Sequence, residues 1–152
     1  AVPYIVGPLL YSVVVYFLSY KAFQLRAADL EGIVFKSKEK QPVFKALERL
    51  MTVEKQFMEP DVSLAKLSEQ LGTSTQQLSK VVNEHAQCNF NEYVNGYRIQ
   101  AAKEVLLQTE SEKFTIASIA FDVGFNSLSS FNAAFKKLEG MTPTEFRKRF
   151  KI

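Results

Sequence analysis

Cysteine and histidine are almost absent from this sequence: its 152 residues contain one of each, Cys88 and His85, and no tryptophan. A disulfide framework needs pairs of cysteines and a zinc site needs several ligands, so both are excluded. The shortage also leaves little for nucleophilic or metal-assisted catalysis. We therefore expect no enzyme, no catalytic residues, no metal and no cofactor. Cys88 is expected to be a small buried hydrophobe and His85 a surface or phosphate-near residue.

A strong excess of charge of either sign is also missing. The chain has 19 Lys and Arg against 16 Asp and Glu, a net charge of +3 and a pI near 8.9. Such a balance neither demands nor excludes nucleic acid as a partner. The clustering of the basic residues matters more than their total.

Charge is lacking altogether from Ala1 to Tyr20, where apolar residues dominate. About 20 apolar residues in a helix span the roughly 30 Å core of a bilayer. Lys21 and Arg26 follow at once, and positive charge just past an apolar span marks the cytoplasmic side. These observations predict a transmembrane helix over residues 1–21, the last span of a truncated sensor region, since the chain opens with Ala rather than Met. The alternative is a buried helix or a strand pair from a soluble sensor domain.

The composition becomes polar and mixed in charge between residues 22 and 41, which predicts a juxtamembrane linker, whose first part is the continuation of the membrane helix in one alternative. Pro42, suited to a first helical position, starts the next element. We expect a support helix that ends at Pro60 and packs on the unit that follows it. Its apolar residues recur at helical spacing: Phe44, Leu47, Leu50, Met51 and Phe57.

The main signal is a pattern that occurs twice, as LSEQLGTSTQQLSKVV from Leu67 and as IAFDVGFNSLSSFNAAF from Ile119. In each copy two apolar positions lead to a glycine, a short polar turn and a second amphipathic run. This is the pattern of helix, tight turn and helix that places the second helix in the major groove of DNA. The copies predict helix-turn-helix units over residues 63–86 and 115–140.

N-cap residues and a connecting helix complete an all-α fold. The expected N-caps are Ser63, Ser74 or Thr75, Thr115, Ser127 and Thr142. A linker helix over residues 90–108 is about 27 Å long, which suits two units that read DNA near one duplex turn apart, about 34 Å. Arg98 within it is expected to be an internal tether rather than a phosphate ligand. A final helix spans residues 143–150, with Phe150, and Leu138 before it, expected in the core and Arg147 outside.

The exposed faces of the two second helices are the candidate DNA-reading surfaces. Glutamine can bond adenine bidentately, and lysine reaches guanine or a phosphate. For the first face, a plain solvated surface is the equal alternative. The second face has no arginine and an alanine in its middle, so we expect mainly phosphate contacts or a response to DNA shape. The candidates are Gln76, Gln77, Ser79, Lys80 and Asn83, then Asn126, Ser127, Ser129, Ser130, Asn132, Lys136 and Lys137.

These stretches, above all IASIAFDVGFNSLSSFNAAFKKLEGMTPTEFR, resemble the AraC/XylS family of bacterial transcription regulators. The likeness runs from about Leu64 to Arg147. It implies two helix-turn-helix subdomains joined by one helix, with both recognition helices in major grooves. Two residues depart from the pattern: Ser68 stands where such units prefer alanine, and Leu128 exposes an apolar side chain at the start of the second recognition helix. With its apolar N-terminal segment, the chain is similar to membrane-anchored members of the family, a type common among Bacteroidetes-like bacteria.

The sequence and the resemblance together predict a sequence-specific transcription regulator tethered to the inner (cytoplasmic) membrane by residues 1–21. Its DNA-binding domain, residues 42–152, is expected in the cytoplasm. The expected partners are double-stranded promoter DNA and RNA polymerase, a homodimer is a further option, and the resemblance favours activation. The alternative is a protein-interaction module of the same fold whose sequence-specific DNA binding is weak or lost.

Overall fold

The computed structural model of the protein describes residues 15–26, 41–108 and 113–150. The chain divides into two compact units, Ala1–Gln41 and Pro42–Ile152. Residues 15–26 of the first unit form an exposed helix, α1. Among the described residues, no helix has both the length and the apolar character that a membrane span needs. Residues 1–14 of the predicted transmembrane helix and residues 27–40 of the predicted linker lie outside the described residues.

The larger compact unit, Pro42–Ile152, is built from helices, and its described residues contain no strand. This confirms the all-α fold and both helix-turn-helix pairs. Helix α2 covers residues 41–52 and is followed by a 3₁₀ turn at Gln56–Met58. The remaining helices are α3 (Leu64–Gln70), α4 (Thr75–Ala86), α5 (Phe90–Leu107), α6 (Ile116–Asp122), α7 (Leu128–Glu139) and α8 (Pro143–Phe150).

Side-chain caps fix where these helices begin. Ser63, Thr115 and Ser127 each accept a hydrogen bond from the backbone N–H three residues on, as predicted, and so does Ser74 rather than Thr75 before α4. The hydroxyl of Thr142 does the same for α8. Each such cap satisfies a backbone donor that the helix leaves free and stabilises it by about 1 kcal/mol.

Two hydrophobic cores lie side by side, and α5 contributes to both. The first joins Leu47, Leu50 and Met51 of α2 to the inward faces of α3 and α4 and to the first half of α5. The second joins the other half of α5 to α6, α7 and α8, with Phe131 and Phe135 fully buried. Burying each of these rings contributes roughly 2–3 kcal/mol. Each helix-turn-helix unit therefore has its own core, and α5 is the element shared by the two.

The predicted end of α2 was wrong. The helix ends at residue 52 and not at Pro60, because the N–H of Glu54 closes back on the carbonyl of Arg49 at 3.3 Å instead of continuing the helical hydrogen bonds. Lys55 then adopts a left-handed φ of 51° and begins the 3₁₀ turn. Phe57 still reaches the first core, but from the 3₁₀ turn.

Three further side chains differ from the sequence-based prediction in how far they are buried. Leu138 is 49% exposed, because Phe131 and Phe135 fill the inward face of α7. Phe150 is 42% exposed, because in the last turn of α8 it covers only the ring of Phe146, at 4.8 Å between ring centres. Arg147, expected outside, is half-buried. The buried Ser68, in contrast, is accommodated because its hydroxyl donates to the carbonyl of Leu64 at 2.6 Å.

Candidate nucleic-acid interface

Helix α4 turns a polar face outward because its apolar residues Leu78, Val81 and Val82 are all buried. Four of the five candidates on this helix share one shallow depression, lined by Leu64, Thr75, Gln76, Ser79, Lys80, Asn83 and Glu84. Gln77 is exposed but does not line it. Three lining residues, Leu64, Thr75 and Glu84, were not among the predicted candidates. Leu64 reaches the depression because the start of α3 packs beside α4, which no local pattern in the sequence reveals.

Lys80 is the main positive charge on the α4 face. Its side chain is 66% exposed, and its ammonium lies 4.0 Å from a carboxylate oxygen of Glu84. An exposed ion pair at this distance is weak and screened by salt. Lys80 is therefore available to a phosphate or a base edge that approaches the depression.

The exposed surface of α7 divides into two flanks on either side of its buried face. On one flank, Ser130, Ala133 and Lys137 line a cleft of about 580 Å³ between α7 and the start of α5. The other flank holds Ser129, Asn132 and Lys136, which are exposed and do not line that cleft. The candidates on α7 are thus divided between the cleft and the exposed surface beside it.

Lys137 is held on the cleft side of α7 by a carboxylate of α5. Its ammonium donates to Oε1 of Glu92, while Oε2 of Glu92 accepts from the N–H of Asn89 at 3.3 Å. These bonds, with Lys137 the main cause, keep the pKa of Glu92 below its ordinary value, so the pair stays charged at neutral pH. Glu92 was not among the residues predicted from the sequence. The spacing of Asn89 and Glu92 indicates a capping box at the start of α5, but nothing local indicates the partner on α7.

The side chains of Asn126 and Ser127 make internal hydrogen bonds at the start of α7. Nδ2 of Asn126 donates to the carbonyl of Pro60 at 3.0 Å. The hydroxyl of Ser127 accepts from the N–H of Ser130 at 3.1 Å and donates to the hydroxyl of Ser130 at 2.9 Å. All three residues lie near a helix N-terminus, which attracts phosphate through its free N–H groups.

Arg98 is buried as expected, whereas Cys88, expected to be buried, is only partly so. Arg98 is 8% exposed and donates to the backbone carbonyls of Phe57 and Glu59, which confirms it as an internal tether. Cys88 is half-buried beside the cleft, and burial raises the pKa of its thiol. A raised pKa leaves less thiolate and makes a cysteine a poorer nucleophile.

Comparison with known proteins places this architecture. A protein-family model described as a helix-turn-helix domain matches residues 67–149. An HTH-type transcriptional regulator of Staphylococcus aureus (strain COL) is 39% identical over 87 residues, which is 57% of this chain and 11% of the relative. The chain thus spans about a tenth of the length of that relative.

Solved structures agree with the family match. The C-terminal domain of the two-component response regulator yesN from Fusobacterium nucleatum has a TM-score of 0.59 and 31% identity, over 68% of this chain and 98% of that one. A Chromobacterium violaceum transcriptional regulator, described as AraC-type DNA-binding domain-containing, has a TM-score of 0.61 at 22% identity, over 74% and 96% of the two chains. The relatives and the fold are those of transcription regulators, not of enzymes.

Proposed function

This chain belongs to the AraC-type family of helix-turn-helix transcription regulators, and from that premise we propose that it reads promoter DNA with α4 and α7 in two successive major grooves. The observation that carries the proposal is that both helix-turn-helix units contain the same kind of second helix. In each unit this helix has an N-cap, buries its apolar side and exposes a polar side. The 18 residues of α5 connect the units over about 27 Å, which suits grooves near one duplex turn apart.

The two helices have different tasks in this proposal. The depression on α4 offers Gln76, Lys80 and Asn83 to base edges and phosphates, and such contacts can discriminate between bases. The free flank of α7 offers Ser129, Asn132 and Lys136, of which only the lysine is charged. We assign sequence reading mainly to α4 and backbone or shape contacts mainly to α7.

Selection from a random duplex library by the purified full chain, kept in mild detergent, tests the proposal. We expect enrichment of two elements about one helical turn apart. Lys80→Ala should weaken binding to the selected sequence by roughly tenfold, since a base or phosphate contact of lysine is worth about 1–3 kcal/mol. Lys45→Ala replaces an exposed lysine of α2 outside both faces and is the matched control.

The other outcomes identify the competing functions. Salt-sensitive binding without enrichment would mean that the protein contacts only the phosphate backbone of the DNA. The absence of binding at low salt would favour the protein-interaction module. The observation that supports this alternative is the exposed Ala133 in the middle of the second face, because alanine has no polar group that could bind DNA.

We also propose that residues 1–21 anchor the protein in the inner membrane and leave the DNA-binding unit in the cytoplasm. The support is the uncharged apolar stretch and the positive residues that follow it. RNA polymerase and a second copy of the chain are further proposed partners, with activation the proposed output. In fractionated cells the protein should stay with membranes through alkaline extraction, and charged substitutions at Val13 and Val14 should release it. Complete extraction of the unaltered protein would contradict the anchor.

A further inference from the structure

The short segment between α2 and α3 is hydrogen-bonded to α5 and to the turn of the second helix-turn-helix unit. We call residues 57–60 the joint segment. The carbonyl of Phe57 accepts from Nε of Arg98 at 2.7 Å, and the carbonyl of Glu59 accepts from Nη2 of the same side chain at 2.9 Å. The carbonyl of Pro60 accepts from Nδ2 of Asn126 at 3.0 Å. Three of the four carbonyls in the joint segment are therefore fixed by α5 or by the turn of the second helix-turn-helix unit.

The fourth carbonyl is in direct contact with that same turn. A Cβ atom added to Gly124 would lie 2.6 Å from the carbonyl oxygen of Met58, so only glycine lets the two backbones approach this closely. The next residue of the turn, Phe125, has its ring 5.4 Å from the guanidinium of Arg98. The turn and the joint segment thus meet over several adjacent residues and not at one point.

This contact joins the two helix-turn-helix units at a place other than α5. The helix α5 alone would leave them free to bend and twist about it, and the Glu92–Lys137 ion pair between α5 and α7 is solvent-exposed and weak. The joint segment lies just before Ser63, the N-cap of α3, and Asn126 lies just before Ser127, the N-cap of α7. A contact at the N-termini of α3 and α7 fixes the angle and the separation between the two helix-turn-helix units.

We infer that Arg98 and Asn126 are positioning residues that set the distance between the two recognition helices, and thereby the spacing of DNA elements that the protein accepts. The inference rests on the proposed reading of two grooves by α4 and α7. It reassigns Asn126, a candidate DNA contact by sequence, to a role exerted through Pro60 and α7. A protein whose units are free to rotate tolerates several spacings, whereas one with a fixed joint binds tightly at one spacing only.

A spacing series tests the inference on the full chain. Binding is measured to duplexes in which the two selected elements are moved apart or together by one and two base pairs, and to duplexes with one element alone. For the unaltered protein we expect one preferred spacing. Asn126→Ala and Arg98→Lys should lower its preference over neighbouring spacings roughly three- to tenfold, the range expected for lost hydrogen bonds.

Affinity for the element that α4 reads, offered alone, should stay within about twofold of the unaltered protein, because neither substitution touches the α4 depression. Gln100→Ala removes an exposed side chain from the same helix as Arg98 and should keep the original preference. Asn126 is exposed, so its alanine variant tests the inference even if the buried Arg98 does not tolerate replacement.

The failures are distinguishable. If the unaltered protein shows no preferred spacing, the two-groove function itself fails, and the inference with it. If the unaltered protein is selective and both variants keep the same preference, the function stands and the positioning role is overturned. A uniform loss of affinity for single and paired elements, with the preference unchanged, overturns it too, because that is the result of a merely structural role.

Discussion

The two turn glycines occupy the same place in their helix-turn-helix units and yet have different surroundings. Both have a positive φ, 63° at Gly72 and 96° at Gly124. A Cβ at Gly72 would meet no atom within 4 Å, whereas at Gly124 it would lie 2.6–2.8 Å from backbone atoms of Phe57 and Met58. Backbone atoms cannot swing aside as a flexible side chain can. Gly72 therefore serves the turn, and Gly124 serves both the turn and the contact between the units.

Alanine at each glycine should separate these two roles. We expect Gly72→Ala to lower the free energy of unfolding by about 1 kcal/mol, the usual cost of a left-handed alanine. Gly124→Ala adds a clash between backbones and should cost about 3 kcal/mol or more. Denaturant unfolding of the full chain followed by circular dichroism measures both, and each glycine is the other's control. Equal losses would mean that the joint segment moves away from Gly124 without cost.

At the residue scale, contacts between residues close in the sequence could be predicted, whereas partners distant in the sequence could not. Ser63, Thr115 and Ser127 could be identified as N-caps because a cap depends on neighbours three residues away. Arg98 was recognisable as a tether because it lies among apolar residues of one helix. The partner of Asn126 is Pro60, 66 residues earlier in the chain. No periodicity or motif contains that pairing, so the sequence could offer Asn126 only as one more polar residue near a recognition helix.

At the scale of elements, α5 and α7 face each other across a cleft with the Glu92–Lys137 ion pair between them. The predicted phosphate ligand Lys137 is thus already bound to a carboxylate in the DNA-free protein. A phosphate must compete with Glu92 for the same ammonium. Under the proposed function, the pair lowers the affinity of the second helix-turn-helix unit for the DNA backbone while it holds α7 against α5.

Glu92→Gln should raise DNA affinity about two- to fivefold, the range for loss of one exposed charge pair. Glutamine keeps the capping box, since its amide oxygen still accepts from the N–H of Asn89. Equilibrium titration with the selected duplex at 50–100 mM salt measures the change. Glu92→Gln in a Lys137→Ala background is the control and should bring no such gain. The same gain in both backgrounds would show a general effect of net charge and not the release of Lys137.

Most elements could be predicted because their apolar residues repeat at helical spacing, and one boundary failed for an identifiable reason. The periodicity in α4 and α7 is strong, and their N-caps are conventional serines. In α2 the apolar spacing continues to Phe57, yet the helix has already ended at residue 52. The N–H of Glu54 turns back to the carbonyl of Arg49, and no glycine or proline stands there to signal the end of the helix. An apolar pattern alone cannot show such a stop.

At the scale of the whole molecule, two small cores share α5 and touch again through the joint segment. The existence of two units was visible in the sequence because each repeats a local pattern. Their relative placement depends on Arg98, Gly124 and Asn126 meeting residues 57–60, and all these contacts are distant in sequence. The candidate DNA residues could thus be named from the sequence, but not their division between the α4 depression, the free flank of α7 and the cleft.

The net charge of the whole chain is low. We therefore expect the salt dependence of DNA binding to follow mainly from the few lysines on the exposed faces of α4 and α7. Lys80 and Lys136 are exposed on the proposed DNA side, and Lys137 is shared with Glu92. Each phosphate neutralised by a lysine contributes about 0.9 to the slope of log K against log salt concentration. We expect Lys136→Ala to reduce that slope by about 1 on specific and random duplexes alike, because a phosphate contact has no sequence preference.

Titrations at four salt concentrations between 50 and 200 mM measure the slopes. Lys45→Ala, which leaves both faces intact, should keep the slope of the unaltered protein. An unchanged slope in Lys136→Ala would mean that the free flank of α7 does not meet the DNA backbone. The surface of α7 in contact with DNA would then be the cleft side, and the affinity gain from Glu92→Gln would have to be correspondingly larger. The two measurements together therefore determine which flank of α7 faces the DNA.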